Sequence, residues 1–589
     1  MNHTFHIPVL GLGYSIDTPL KVAKYGISSV VSIVDDELTE RMRKFHSEKN
    51  NKSYVLIDKK ETDSRALRIT AYLNLLNTLV NEDFAGLLQQ ETTLNKYFEL
   101  LPDQSTLKAK YTELQFMSDG QEKELALDSL KKQLKPGNID VNIMSKVDKA
   151  NYSTNNEYLG EDYTDALAAM RGFANSDLKS SVIISAGLNP RLYGYMEKCT
   201  DFYPTPTGTL NKTIILKVSD FRSAMIQAKM LAKKGLWVSE FRVESGLNCG
   251  GHAFATEGFL LGPILEEFKE KRNALAVELY EIYAAALTTK DIYVSTPPLQ
   301  RITAQGGIGT AEEHQFLINY YQLDAAGWGS PFLLVPEATN VDDDTLTDLM
   351  NAVGTDYFVS NSSPLGVLFN NFKKSSIEKQ RLERIEKGRP GSPCTKKFLC
   401  TNTEFTELPI CTASREYQNL KIKELQKQNL PEASYKQQFD TITEKICLCE
   451  GLCASTYLKN GMLKPKENKA VSICPGPNLA YFSGKYSLKE MIQHIYGKTN
   501  LLDSVSRPNL FINELNLYVD YLKKDIALQL DELSTKKAKY FTKFKEQLLQ
   551  GIAYYQELIP ELKKQSNVAI SEMQQQLQQA ESSLIACKI

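Results

Sequence analysis

Short apolar runs alternate with helix-length segments along the first 371 residues, and this alternation restricts the fold more than any other feature. Strands separated by helices in this way form parallel sheets with helical crossovers. The number of runs is compatible with eight strands, so we predict an α/β fold built on a (β/α)8 barrel, the TIM barrel. In chain order the runs are residues 6–10, 27–34, 139–144, 181–186, 213–218, 238–243, 303–304, 325–327 and 357–360.

Three segments interrupt or follow these repeats. Residues from about 35 to 135 are charged and have apolar positions every three or four residues, which indicates a helical insertion in the barrel. A Gly/Pro break at 388–391 marks a boundary. We therefore predict a barrel over 1–371, a Cys-rich region over 388–480 and a helical region over 485–589. The last region is predicted either to cap the barrel or to bind a partner protein.

Composition excludes some classes of function. Of the 589 residues, 42% are hydrophobic and 24% are charged, which is typical of a globular protein. The formal net charge of -2 argues against a general nucleic-acid binder. No apolar stretch reaches the length of a membrane helix, and the N-terminus lacks the pattern of a signal peptide. We expect a cytoplasmic protein.

Two glycine turns follow consecutive strands late in the predicted barrel. Gly306, Gly307, Ile308 and Gly309 precede a helix that begins near Ala311, and a second turn contains Gly327, Trp328, Gly329 and Ser330. Glycine lets main-chain N–H groups approach an anion, and a helix N-terminus adds partial positive charge. The pair of turns predicts a phosphate site, although two unrelated tight turns would leave the same pattern.

Two further strand ends carry polar side chains that suit a site at the barrel mouth. Gly250 and Gly251 precede His252, whose ordinary pKa suits proton transfer near neutral pH. We predict that His252 is a general base, with a structural histidine as the alternative. Lys217 ends another strand and either contacts the ligand or points to solvent.

Cysteines are concentrated in the Cys-rich region. The closest spacing is in Cys447, Cys449 and Cys453, and Cys474 supplies a fourth thiol. Such density favours a metal centre, so we predict an iron–sulfur cluster or, alternatively, a zinc ion on these four residues. Unbridged buried thiols are the remaining alternative.

Taken together, these motifs resemble a family, the flavin-dependent nitronate monooxygenases (2-nitropropane dioxygenases), and the related flavin-dependent enoyl reductases. The N-terminal segment 8–14 resembles the family's opening strand and glycine turn, and 141–144 resembles its asparagine-bearing strand. The segment 248–252 is similar to its EAGGH motif. The segments 303–308 and 328–332 are similar to its AAGGI and MGTRF turns.

The resemblance implies a barrel that binds flavin mononucleotide (FMN) and uses His252 as its catalytic histidine. It implies an oxidoreductase acting on a small organic or acyl substrate, with an enoyl reductase-like enzyme or a non-catalytic barrel scaffold that binds a partner protein as alternatives. The electron-transfer partner is left open. The implied cofactor-binding residues are Gly11, Leu12, Gly13, Asn142, Lys217, Gly250, Gly251, Gly306, Gly307, Ile308, Gly309, Gly327, Trp328, Gly329 and Ser330.

This chain departs from the family pattern at four positions within these motifs. Asn248 and Cys249 replace Glu and Ala before the paired glycines, Trp328 stands where Met is usual, and Pro331 replaces an arginine. The glycines of the predicted phosphate-binding turns match the family pattern, so the cofactor prediction stands, whereas the identity of the substrate is left open.

Overall fold

Eight parallel strands form a closed barrel in this computed structural model, which describes residues 3–145, 148–153, 155, 157–185, 187–250, 257–527, 535–565 and 570–589. Each strand pairs with the next, and β1 pairs with β8 at His6 and Gly327 to close the barrel. The predicted (β/α)8 fold is confirmed. The strands are β1 (Phe5–Ile7), β2 (Ser28–Ser32), β3 (Ile139–Asn142), β4 (Ser181–Ile184), β5 (Thr213–Val218), β6 (Val238–Glu244), β7 (Arg301–Gln305) and β8 (Ala325–Gly327).

The ninth predicted run does not belong to the barrel. Residues 357–360 form β9 (Tyr357–Ser360), which pairs antiparallel with β10 (Phe369–Phe372) in a separate two-stranded sheet. The prediction of a further barrel repeat there is wrong. Few residues separate β9 from β10 in the sequence, which is enough for the turn of an antiparallel hairpin but too few for the crossover that a parallel pair needs.

Twenty helices are described. They are α1 (Thr18–Val22), α2 (Asp36–Lys49), α3 (Ser64–Gln89), α4 (Glu91–Leu100), α5 (Thr106–Gln115), α6 (Gln121–Lys131), α7 (Asp165–Ala174), α8 (Pro190–Met196), α9 (Phe221–Ala232), α10 (Leu261–Thr288), α11 (Ala311–Tyr320), α12 (Asp343–Met350), α13 (Ser376–Glu386), α14 (Arg415–Gln426), α15 (Glu432–Thr443), α16 (Leu448–Lys459), α17 (Leu488–Ile495), α18 (Leu510–Ala527), α19 (Thr535–Gln565) and α20 (Ile570–Ala586).

The helical insertion and the C-terminal helices cover the outside of the barrel. Helices α3 to α6 fall within the predicted insertion, and α3 packs against α2 and α7. Helices α18 to α20 pack on one another, and both α18 and α19 contact α10 of the barrel. Their apolar faces share one core with the barrel helices. None of the described helices is long and apolar enough to cross a membrane.

Charged side chains fill much of the barrel interior. Glu240 on β6 bonds to Arg242 (2.7 Å) and to Arg301 on β7 (3.1 Å), and it accepts a hydrogen bond from Thr303 (2.7 Å). Arg242 also reaches across the barrel to Asp140 on β3, 3.7 Å away. Burial alone would raise the pKa of Glu240, but the two guanidinium groups lower it to about 2. The network therefore depends on an ionised carboxylate inside the barrel.

Candidate functional site at the carboxyl end of the barrel

A polar layer lies directly above the charged network, where the strands end. Glu244, the last residue of β6, accepts hydrogen bonds from Asn248 (2.7 Å), Gln305 (2.8 Å) and Lys217 (3.2 Å). The four side chains come from β5, β6, β7 and the loop after β6. Carboxyl ends of barrel strands are where TIM-barrel active sites are built. Lys217 thus lies inside the barrel mouth. Of the two alternatives given by the sequence, this position fits contact with a ligand better than exposure to solvent.

Two amide oxygens in this region are buried without a hydrogen-bond donor among the described residues. They are Oδ1 of Asn142, at the end of β3, and Oε1 of Gln305, at the end of β7, beside Nε2 of His6, which is buried without a partner among the described residues as well. The amide nitrogen of Asn142 donates to Ser32 (3.1 Å), so its orientation is fixed. A buried acceptor without a donor costs on the order of 1–3 kcal/mol. Both oxygens fit a ligand that carries N–H or O–H groups.

The first glycine turn follows β7 and packs on the loop after β6. Gly306 and Gly307 have φ of +105° and +80°, which favour glycine, and a side chain at Gly307 would overlap Leu247. The N–H groups of Gly307 and Ile308 have no partner in the described part of the chain. By contrast, the N–H of Gly309 donates to Glu313 on α11 (2.8 Å) and is not available to a phosphate.

The second glycine turn follows β8 and faces the first across a small cavity. A side chain at Gly329 would lie 3.1 Å from Cys249 and 3.4 Å from Pro8, so its main chain lies close to both neighbouring loops. The N–H groups of Gly329 and Ser330 also lack a partner within the described ranges. The structure therefore brings both predicted turns together around one cavity, which Asn478 also lines.

Trp328 takes part in this turn only through its main chain. Its side chain is fully buried among the outer helices, where the indole N–H donates to His314 Nδ1 (3.2 Å) and the ring packs edge-on against His494. Burial lowers the pKa of His314 to about 4, so the imidazole is neutral and can accept this bond. The Trp328 side chain does not line the cavity.

The N-terminal glycine turn contacts another part of the protein. The N–H of Gly13 donates to the main-chain oxygen of Leu452 on α16 (3.1 Å), and a side chain at Gly13 would overlap Thr456 on the same helix. Gly11 has φ of +137°, and a side chain there would overlap Tyr14. Close packing against α16 explains why residue 13 is a glycine, and the positive φ explains why residue 11 is one. Leu12 between them is half-buried.

The predicted general base, His252, lies outside the described residues, as does Gly251. The described residue just before them is Gly250, whose N–H donates to the main-chain oxygen of Cys474 (3.1 Å). Gly250 has φ of +75°, and a side chain there would overlap the main chain of Val9. Gly250 thus lies next to the segment that follows β1.

The other five of the chain's six histidines are buried; four of them form hydrogen bonds, whereas Nε2 of His6 has no hydrogen-bond partner among the described residues. His46 pairs with Asp17, and burial keeps His6 neutral inside the barrel. His494 donates from Nε2 to the main-chain oxygen of Gly309, in the first glycine turn, and accepts a hydrogen bond from the N–H of Leu501. His3 bonds to Tyr25 and Tyr496, and His314 bonds to Trp328 and Thr4. None of these five residues lines the cavity between the glycine turns.

The predicted metal centre is not supported. Throughout the described ranges, no three His, Cys, Asp or Glu side chains are grouped so that they could hold a metal ion. Cys447, Cys449 and Cys474 lie in a small apolar cluster, but Cys453 faces the main core, where its thiol donates to Asp35 (3.4 Å). Cys447 is the residue before α16, whereas Cys453 lies in the second turn of that helix.

Sequence reasoning missed several residues of this site. Glu244 and Gln305 end their strands, and Asn478 lies far away in sequence. The alternation of Glu240, Arg242 and Glu244 along β6 puts all three on one face, and this signal could have indicated a polar barrel interior.

No family model matches the chain, and no curated protein matches it. Solved structures similar to it include the enoyl reductase domain of MlnA from the macrolactin biosynthesis cluster of Bacillus amyloliquefaciens, at 14% identity and a TM-score of 0.33, covering 69% of this chain and 88% of that one. FabK from Thermotoga maritima shows 13% identity and a TM-score of 0.31, covering 67% and 88%.

A nitroalkane oxidase from Streptomyces ansochromogenes shows 10% identity and a TM-score of 0.33, covering 84% of this chain and 94% of that one. Enoyl reductases are among the enzymes that the sequence motifs resemble. The fold assignment follows from the strand order and register of this chain, and the function proposed below follows from its own site residues.

Proposed function

We propose that this protein binds FMN at the carboxyl end of its barrel and is an FMN-dependent oxidoreductase that resembles nitronate monooxygenases. The substrate is a small organic or acyl compound, and enoyl reductase-like chemistry is the alternative within the same class. The observation that carries the proposal is the meeting of two glycine turns, with unpaired N–H groups, beside a polar layer at one barrel mouth.

The residues present fit both ends of this cofactor. The N–H groups of Gly307, Ile308, Gly329 and Ser330 would hold the phosphate, which needs several donors and tolerates no side chains in the way. The unpaired oxygens of Asn142 and Gln305 would accept hydrogen bonds from N–H and O–H groups of the rest of the molecule.

Lys217 adds a cation to this surface. It is held by Glu244 at 3.2 Å, and its side chain is 18% exposed, so it stays inside the barrel mouth. A fixed ammonium group there would stabilise negative charge on a ligand, because Coulomb interactions are strong where water is excluded. Glu244 positions the ammonium group and the amides of Asn248 and Gln305 at the same time.

FMN, when bound, would accept and donate the electrons of the reaction, and the protein would supply orientation and proton transfer. We propose His252 for the proton transfer. None of the other five histidines lines the cavity between the glycine turns, which favours His252 for this role. Cys249, three residues before His252 in the sequence, lines the cavity between the glycine turns.

The proposal is tested by titrating FMN into wild-type protein and into Gly307→Ala. The β-carbon would overlap Leu247 and would strain a residue with φ of +80°, so the turn must move. We expect FMN affinity to fall at least about tenfold, equivalent to about 1.4 kcal/mol.

Gly208→Ala is the matched control for backbone strain. Gly208 has φ of +78°, but an added β-carbon meets nothing within 4 Å, and the residue lies before β5, at the opposite end of the barrel. Its FMN affinity should equal that of the wild type. Equal loss in both variants, or no FMN binding by the wild type, would contradict the proposal.

A further inference from the structure

Six of the cysteines in the Cys-rich region gather in one place, although the structure does not arrange them as a metal site. Cys394, Cys400, Cys411, Cys447, Cys449 and Cys474 contribute to one small apolar cluster that is separate from the main core. Cys394 and Cys400 are partly exposed, whereas the other four are buried. An oxidant from solution would therefore meet Cys394 and Cys400 first.

The sulfur atoms of these two residues are already in contact. The Sγ atoms of Cys394 and Cys400 lie 3.8 Å apart, and a disulfide needs about 2.05 Å. Only five residues separate the two cysteines in the sequence, so the pair closes a short loop. Cys394 and Lys397 both have positive φ, at 55° and 57°, so the loop is held in a conformation that non-glycine residues seldom adopt.

We propose that Cys394 and Cys400 are a modification site, a thiol pair that forms a reversible disulfide with small disulfide oxidants such as oxidised glutathione. Cys400 attacks first, because it is the less buried of the two thiols and is reached first from solvent. The attack breaks the glutathione disulfide, forms a mixed disulfide at Cys400 and releases one glutathione thiol.

The second step closes the pair. The thiolate of Cys394 attacks Sγ of Cys400, forms the Cys394–Cys400 bond and releases the second glutathione thiol. Each cysteine loses one proton to a departing glutathione, so two thiols of the protein are oxidised while one glutathione disulfide is reduced. Reduced glutathione reverses both steps.

The loop between the two cysteines connects this pair with the barrel. Its Lys396 forms an ion pair with Asp35, which follows β2 and caps α2. Its Phe398 lies against Arg65, with the guanidinium 6.0 Å from the ring centre. Both side chains line a large cleft, about 1240 Å³ in volume, between the helical insertion and the Cys-rich region. Oxidation would therefore constrain one wall of this cleft.

Peptide mapping of the full chain tests the proposal. The protein is incubated with oxidised glutathione, its remaining thiols are blocked with N-ethylmaleimide, and it is cut with trypsin and Glu-C. Lys396 and Lys397 put a tryptic site between the two cysteines, and Glu404 puts a Glu-C site between Cys400 and Cys411. We expect a linked pair of peptides, containing only Cys394 and Cys400, that separates on reduction.

Variants make the result specific. Cys394→Ser should abolish the linked peptides and leave glutathione on Cys400, and Cys199→Ser, which removes a partly buried cysteine outside the cluster, should leave them unchanged. The proposal is overturned if Cys394 and Cys400 both carry N-ethylmaleimide after oxidation, if the link involves Cys411, or if a metal that copurifies with the protein is lost in Cys394→Ser.

Discussion

Replacing Glu240 by glutamine removes the negative charge on which the barrel interior depends. Glu240 bonds to two guanidinium groups and to Thr303, and its side chain is 3% exposed. Its pKa is lowered from the usual 4.5 to about 2, a difference of roughly 2.5 units. At about 1.36 kcal/mol per unit, the ionised carboxylate contributes about 3 kcal/mol to stability. Breaking a buried ion pair by removing one partner costs a similar amount, about 3–5 kcal/mol.

Tryptophan fluorescence in urea measures this loss in the barrel itself. The chain has two tryptophans; Trp237 directly precedes β6, Trp328 directly follows β8, and both are at most 2% exposed. We expect Glu240→Gln to lower the free energy of unfolding by about 3 kcal/mol at pH 7. Glu113→Gln, at an exposed position on α5, is the control and should change it by less than about 0.5 kcal/mol.

The contribution of Glu240 to stability should depend on pH in a defined direction. A carboxyl group whose pKa is lowered on folding stabilises the protein above its unfolded pKa, and this contribution is lost as the pH falls through the folded pKa. Burial raises the pKa of the neighbouring Asp140 to about 6, so the difference between wild type and Glu240→Gln should be constant only from about pH 7 to 8, and it should shrink below about pH 4.5. A loss under about 1 kcal/mol, or a difference that does not change at low pH, would refute the reasoning.

Two other substitutions separate structural from functional roles. Trp328→Phe removes the indole N–H that bonds to His314, so it should cost about 1 kcal/mol of stability in urea unfolding and leave FMN affinity unchanged; weaker FMN binding would show that the side chain reaches the cofactor. His252→Gln should retain FMN binding and lose at least about 100-fold in substrate-dependent flavin reduction, followed by stopped-flow absorbance; unchanged reduction would remove His252 from the mechanism.

Local sequence patterns predicted the barrel strands well where strand and helix signals alternate. They failed where the assignment of a strand depends on which other strand it pairs with. The run 238–243 corresponds closely to β6, which ends one residue later at Glu244. The run 357–360 is also a strand, but its β-propensity does not specify whether it joins a parallel barrel or a hairpin.

The candidate site was predictable to the extent that it depends on backbone conformation. The turns at Gly307 and Gly329 were found because glycine has a recognisable purpose at strand ends. Gly13 has the same signature, yet it packs against α16, a contact that brings together residues more than 400 positions apart. Cys453 likewise could not be assigned without knowing which face of α16 meets the core.

The absorption spectrum of the protein as purified tests the central claim most directly. FMN held by the turns at Gly307 and Gly329 should give the two visible bands of an oxidised flavin. Heat or acid denaturation should then release FMN, at about one molecule per chain, identified by chromatography against FMN, FAD and riboflavin. A colourless protein that also fails to bind added FMN would contradict the account.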